Sequence, residues 1–198
     1  MGEAFSQKVR SLFTTTTYEV DQETATTLFA YDDKSLARTF LTADDTNKEK
    51  SLHIGNANGK TIFHICVDGG LIAYGQEDYV GDGTTRGRFD CMIFDNDQLL
   101  LVEFKMDIDP TTADKSRWKN FSKAMRQIKD FYLHLNKCFA LSENPLQEFY
   151  TDDRIIPIIC MKHPPSIDLI RNVQRNTEKE KFRTQTGLKV NLLTRFDF

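Results

Sequence analysis

The clearest periodic pattern in the chain lies between residues 116 and 138, where apolar side chains recur at spacings of three and four. That period places them on one face of an amphipathic helix. The face is made by Trp118, Phe121, Met125, Ile128, Tyr132 and Leu135. Residues 19–42 carry a weaker stripe of the same kind behind Asp21, a suitable N-cap, and we predict one or two helices there. This second stripe consists of Leu28, Phe29, Leu36, Phe40 and Leu41.

Shorter apolar stretches separated by turn residues predict strands between residues 51 and 106. Residues 51–54 and 61–67 flank Asn58-Gly59, a dipeptide that favours a tight hairpin. A further short strand is predicted at 71–74, before the glycine-rich segment GDGTTRG. Residues 88–94 and 99–106 are separated by Asn96-Asp97, which predicts a second hairpin.

The rest of the chain predicts a buried strand, a helix and a last strand. Residues 154–161 form a continuous apolar run, typical of a strand covered on both faces. Ser166 can cap a helix over 167–183, and residues 189–196 predict the final strand. The whole order indicates an α/β fold with a mixed sheet flanked by helices. With 198 residues, we expect a single domain over 1–198.

Charge is distributed unevenly along a chain whose net charge is −3. Residues 1–110 carry 10 Lys and Arg against 19 Asp and Glu, and residues 111–198 carry 16 against 10. The basic half predicts a polyanionic partner and the acidic half a cation, although uneven composition without functional meaning remains an alternative. Without a signal-peptide core or a membrane-length apolar segment, the predicted location is the cytoplasm.

The four cysteines stand at wide spacing, each in an apolar context and with no CxxC pair. A disulfide framework or a zinc cluster needs closer or more regular spacing. We therefore expect buried free thiols, and the chemistry must be sought among other side chains.

Two carboxyl groups meet if Asn96-Asp97 forms a two-residue turn. The ladder then pairs Asp90 with Glu103, and Lys105 points to the same face of the sheet. Opposed carboxylates repel each other, but a divalent cation reverses the sign of that interaction, and carboxylate and carbonyl oxygens are ligands that Mg²⁺ and Mn²⁺ prefer. Lys105 beside such a cation could orient or deprotonate a water. The alternatives are a salt-bridged surface face and a register slip that separates the carboxylates.

The spacing Asp90–x12–Glu103–x–Lys105, with Glu103 and Lys105 closing an apolar strand, resembles the PD-(D/E)XK nuclease superfamily. The order of predicted elements from about residue 20 to residue 161 is similar to that family's restriction-endonuclease-like αβββαβ core. The C-terminal helix and strand are additions to it. The resemblance implies that Asp90, Glu103 and the Phe104 carbonyl hold Mg²⁺ or Mn²⁺, with Lys105 acting on the attacking water. The proline that often precedes the family's Asp is replaced by Phe89.

A glutamine in the long helix extends the resemblance to RecB-type members. Gln127 follows the ExK strand as their catalytic glutamine does, but their QxxxY pattern is imperfect because Phe131 stands where the tyrosine belongs. A plain helix-surface residue is the alternative. Some members also use a glutamate of the first helix as a metal ligand, and Glu19 and Glu23 are the candidates for that role.

Basic side chains near these residues suit contacts with nucleic-acid phosphates. Lys119, Lys123 and Arg126 surround Gln127 on the long helix, and Arg86 and Arg88 lead into Asp90. The later helix adds further positive charge. Its basic residues are Arg171, Arg175, Lys179, Lys181 and Arg183.

Together these features predict a metal-dependent nuclease that hydrolyses phosphodiester bonds in DNA. A homodimer would suit cleavage of both strands of a duplex, and the net negative charge suits a nuclease that needs a partner subunit to capture DNA. One alternative is a catalytically silent nuclease-fold scaffold that binds nucleic acid or a protein partner. Another is a purely structural α/β protein. DNA against RNA, the strand form and the sequence specificity stay open.

Overall fold

The computed structural model describes residues 1–13, 20–67, 89–166, 168 and 173–198, with the side chains of 173–176 left aside. Several predicted features lie outside the described residues. They are Glu19, the strand at 71–74, the glycine-rich segment with Arg86 and Arg88, and Arg171.

The described residues form two sheets and three α-helices. The larger sheet has six strands in the order β1-β5-β6-β7-β8-β9. Neighbours are antiparallel from β1 to β7, and β8 and β9 continue the sheet in parallel. Its strands are β1 (Val20–Glu23), β5 (Ile62–Cys66), β6 (Cys91–Phe94), β7 (Leu99–Phe104), β8 (Ile155–Cys160) and β9 (Asn191–Leu192).

The smaller sheet has four strands in the order β10-β4-β2-β3. Strand β2 pairs antiparallel with both β3 and β4, while β10 lies parallel to β4. These strands are β2 (Thr27–Asp33), β3 (Arg38–Thr42), β4 (Leu52–Gly55) and β10 (Arg195–Asp197). The helices are α1 (Gly2–Leu12), α2 (Asp114–Ala140) and α3 (Val173–Thr186).

Each face of the six-stranded sheet is buried against a different layer. Alternate residues such as Met92 and Leu101 contact the helices, where Phe5 and Ile128 belong to the same cluster. The residues between them, such as Ile93, pack against the smaller sheet. The central strands are therefore apolar on both faces, which explains their continuous apolar runs. The α/β class, with a mixed sheet, is confirmed, but among the described residues helices cover only one face of that sheet, because the smaller sheet covers the other.

The prediction of helices over 19–42 is wrong, because this segment forms β1, β2 and β3. Paired apolar residues such as Leu28-Phe29 fit a short helical stripe and a strand equally well. The segment is rich in threonine and aromatic residues, which favour strands. Burial of Leu28 and Ala30 beneath the larger sheet stabilises the extended form. The N-terminal helix is instead α1, where Phe5 and Val9 are fully buried.

The hairpin predicted for 51–67 is also wrong, since β4 and β5 belong to different sheets. The Asn56 side-chain amide makes two hydrogen bonds with the backbone of Lys60. Its Oδ1 accepts the Lys60 N–H at 2.9 Å, and its Nδ2 donates to the Lys60 carbonyl at 2.8 Å. These two bonds close a loop from Asn56 to Lys60, which is longer than a two-residue hairpin turn. All five residues of β5 are buried, as a strand between β1 and β6 requires.

Other predictions for the chain ends and the thiols have mixed outcomes. The long helix and the strand at 154–161 are confirmed as α2 and β8, and a later helix is confirmed as α3. The single last strand is wrong, because it divides into β9 and β10 in different sheets. All four cysteines are free, but Cys138 is only partly buried.

A fully buried histidine joins the two sheets. His64 of β5 lies 3.0 Å from Asp21 Oδ2 on β1 through Nδ1 and 3.0 Å from Thr39 Oγ1 on β3 through Nε2. Burial lowers the pKa of His64, whereas the hydrogen bond to Asp21 and the charge of Asp21 act to raise it. The hydrogen bond from His64 is the largest influence on Asp21 and lowers its pKa, and Arg38 adds to this. The native pair therefore favours neutral imidazole beside a carboxylate.

This pair predicts a loss of stability in mild acid. Unfolded His64 takes a proton below about pH 6.5, whereas native His64 resists it, so the free energy of unfolding should fall as the pH drops below that value. Urea unfolding between neutral and mildly acidic pH measures this slope. His64→Gln should flatten it, while His163→Gln, at a partly exposed site, should not. An equal slope in wild type and His64→Gln would contradict the prediction.

Candidate functional site

The hairpin between β6 and β7 has the predicted register. Cys91 pairs with Val102 and Phe94 with Leu99. Asp95 fixes the turn, since its Oδ1 accepts the backbone N–H of Asp97 and of Gln98 at 2.7 Å each. The turn thus uses local side-chain bonding typical of aspartate. The same register, continued by one residue beyond β6, brings Asp90 opposite Glu103 of β7.

Hydrogen bonds between carboxyl groups and backbone N–H groups connect the segments that carry Asp90 and Glu103. The Asp90 N–H donates to Glu103 Oε2 at 3.2 Å, and the Phe104 N–H donates to Asp90 Oδ2 at 2.5 Å. Only 6% of Asp90 and none of Glu103 is exposed. This burial contradicts the surface location of the salt-bridged alternative, although the ion pair between Lys105 and Glu103 that it included is present.

The electrostatics of Asp90 are those of a carboxyl group without enough positive charge nearby. Burial raises its pKa well above the ordinary value, and the negative charge of Glu103 raises it further. Lys105 and the Phe104 N–H act in the opposite direction but do not compensate. Its environment therefore disfavours the ionised form and would be improved by an additional cation.

Lys105 supplies the positive charge of this site. Its ammonium donates to Glu103 Oε1, and to the Phe104 carbonyl at 3.1 Å. Its backbone N–H donates to the Cys160 carbonyl at 2.7 Å, which continues the pairing of β7 with β8 and fixes the backbone here. Only 15% of its side chain is exposed.

A cavity of about 370 Å³ is lined by the residues predicted for ion binding and catalysis. Asp90, Glu103, Phe104 and Lys105 line it from the end of the hairpin, and Gln127 lines it from α2. Gln127 is 8% exposed, so the alternative of a plain helix-surface residue is wrong. The five residues predicted for ion binding and catalysis therefore lie together, on three consecutive elements of the chain.

The smaller sheet and its connecting loops contribute residues that the sequence analysis missed. Asp32, Lys34 and Lys50 line the same cavity. Lys34 forms an ion pair with Asp107 at 2.7 Å, and this partner is the main cause that raises the pKa of Lys34. Asp32 also raises the pKa of Asp90. No sequence signal could have found Asp32 and Lys34 while 19–42 was read as helical.

The remaining predicted residues are more scattered. Lys123 lines the cavity, whereas Lys119 and Arg126 line an adjoining groove between α2 and α3. Glu23 lies on β1 rather than on a first helix, and it is absent from the lining of the cavity. Arg86, Arg88 and Glu19 lie outside the described residues.

The donor set at this site has the chemistry that a hard divalent cation requires. Among the described residues, no three Asp, Glu, His or Cys side chains gather around one point. The site offers two carboxylates and a carbonyl, which are hard oxygen ligands suited to Mg²⁺ or Mn²⁺ with water completing the shell. The Lys105 ammonium already lies on two of those oxygens, as a cation would. The residues therefore fit a hard divalent ion.

Comparisons of the chain with protein-family models, with curated proteins and with solved structures gave no match. Among the described helices, none is both long enough and apolar enough to span a bilayer.

Proposed function

We propose that this chain is a metal-dependent nuclease that hydrolyses phosphodiester bonds in DNA. The observation that carries the proposal is the buried Asp90–Glu103 pair, which opens with Lys105 into one cavity. The resemblance to the PD-(D/E)XK superfamily supports it. The antiparallel strands β5, β6 and β7, followed by α2 and the parallel strand β8, support the later part of a restriction-endonuclease-like core, whereas four described strands separate α1 from β5 in the chain.

Asp90, Glu103 and the Phe104 carbonyl would hold Mg²⁺ or Mn²⁺. Such an ion polarises a phosphoryl oxygen and lowers the pKa of a bound water. The two carboxyl groups are already buried beside each other, and ion binding would displace the Lys105 ammonium from Glu103 Oε1 and the Phe104 carbonyl. This role also gives a reason for two opposed carboxylates that otherwise cost stability.

Lys105 and Gln127 would act on the reacting groups. Lys105 has three ammonium hydrogens, and an ion on the Glu103 and Phe104 oxygens would free them for the attacking water or a phosphate oxygen. Gln127, held on α2, can donate and accept hydrogen bonds across the cavity. Lys34 and Lys123 on the cavity wall would contact flanking phosphates.

The test is cleavage of end-labelled single-stranded and duplex DNA by the purified chain with Mg²⁺, Mn²⁺ or EDTA. We expect cleavage with either ion and none with EDTA, because the carboxylate pair has no catalytic ion in the chelator. A matched RNA substrate decides whether the activity is restricted to DNA. DNA binding without cleavage under every condition would contradict the nuclease and favour the silent scaffold.

A further inference from the structure

A second depression lies between α2 and α3, where residues of both helices line a groove of about 750 Å³. The two walls are held together by side chains. Ser122 Oγ donates to Glu178 Oε2 at 2.7 Å, and the Lys179 ammonium lies 5.5 Å from the centre of the Phe121 ring. The groove is thus a fixed feature of the helix pair rather than a gap between unconnected elements.

The rim of the groove is positively charged. Lys119, Lys123 and Arg126 of α2 and Lys181 of α3 line it and are exposed. Within the described part of the chain, none of these four side chains forms an ion pair. Glu178, the acidic residue in the described lining, already accepts the Ser122 hydroxyl. Four such cations beside one groove indicate an anionic ligand.

Apolar side chains lie beneath this charged rim. Trp118 and Met125 of α2 and Phe182 of α3 line the groove, and each is almost completely buried. A ligand in the groove would meet the small exposed parts of these apolar side chains at its floor and positive charge at its rim. Nucleotides suit both features, since every base has an apolar face and every linkage carries a phosphate.

The groove leads directly to the candidate active site. Asn120 and Lys123 line both the groove and the cavity that holds Asp90 and Glu103. An anionic chain lying in the groove would therefore pass Lys123 on its way into the cavity.

We infer that the groove between α2 and α3 binds a single strand of nucleic acid and leads it to the cavity. A single strand can turn its bases to the apolar floor and its phosphates to the rim. A duplex presents phosphates outward with its bases stacked inside, so it would meet the rim and leave the floor uncovered. The inference rests on the proposed nuclease function and adds the form of the substrate to it.

Trp118 is the only tryptophan of the chain, so its fluorescence reports on the groove. In EDTA, which prevents cleavage, a short oligothymidylate should change this fluorescence and bind in a salt-dependent manner. Arg126→Ala combined with Lys181→Ala should weaken binding. The slope of log affinity against log salt should become less steep by about 0.7 for each phosphate that the double variant no longer neutralises. A duplex of equal length should displace the oligothymidylate poorly.

The matched control is Lys115→Ala combined with Lys137→Ala. These two exposed lysines lie on α2 outside the groove, so the same loss of charge should leave the salt slope unchanged. Equal effects of the two double variants, equal displacement by duplex, or no binding by the wild type would each overturn the inference. Hydrolysis of bis(p-nitrophenyl) phosphate with Mn²⁺ tests the cavity separately, because this small diester needs no groove. Absence of this hydrolysis would contradict the proposed nuclease function without changing the binding result.

Discussion

Replacing Lys105 with methionine is expected to lower DNA cleavage by about 10²- to 10⁴-fold, the usual contribution of a group that transfers or directs a proton. Methionine keeps much of the apolar stem but removes the ammonium that now bonds Glu103 and the Phe104 carbonyl. Divalent-ion affinity should be unchanged or higher, because those oxygens lose a competing cation. Single-turnover cleavage and calorimetric titration with Mn²⁺ measure the two effects separately.

The control for this substitution is Lys162→Met. Lys162 is an exposed lysine that pairs with Glu49 on the surface and is not among the residues that line the cavity. The Lys162→Met variant should cleave DNA as the wild type does, because an exposed ion pair contributes little to stability. Wild-type cleavage by Lys105→Met would contradict the assigned role of Lys105. Loss of Mn²⁺ binding together with cleavage would show that Lys105 acts on the carboxylates rather than on the reaction.

The candidate site was more predictable than the fold around it. The pairing of Asp90 with Glu103 follows from a two-residue turn and strict alternation, both of which are local. Asp95 strengthens that turn through bonds to its own neighbours, so the hairpin requires no distant information. The same holds for α2, whose apolar stripe is long enough to define its period.

The smaller sheet could not be predicted in the same way. Its strands are short, and Leu28 and Ala30 are buried only because another sheet covers them. Periodicity cannot distinguish such segments from short helices when the partner surface is unknown. The same difficulty affects the prediction of the site, because Asp32 of β2 and Lys34, which follows that strand, line the cavity. Residues contributed by tertiary packing carry no local signal.

Asp90→Asn is expected to have two effects of opposite sign. The substitution should raise the melting temperature of the ion-free chain by a few degrees, where 1 kcal/mol corresponds to about 2–4 °C at this size. Burial and Glu103 raise the pKa of Asp90, so ionisation costs stability as the pH rises from about 3.9 through the raised native pKa. Asparagine is neutral and keeps an oxygen for the Phe104 N–H.

The second effect is the loss of stabilisation by divalent ion. The wild type should gain about 2.7 kcal/mol at an Mg²⁺ or Mn²⁺ concentration one hundred times the dissociation constant, and Asp90→Asn should gain nothing at that concentration. Thermal unfolding with EDTA and with either ion measures both effects. Asp97→Asn is the matched control, because Asp97 is an exposed carboxylate in the turn of the same hairpin and should leave the ion response intact.

The sign of the first effect separates a functional carboxylate from a structural one. If the charge of Asp90 served the fold through its proximity to Lys105, its neutralisation would lower the melting temperature of the ion-free chain. A higher melting temperature would mean that the chain carries a buried charge at a net cost. Such a cost is expected where the charge serves binding or catalysis rather than stability. A lower melting temperature with an intact ion response would contradict the site.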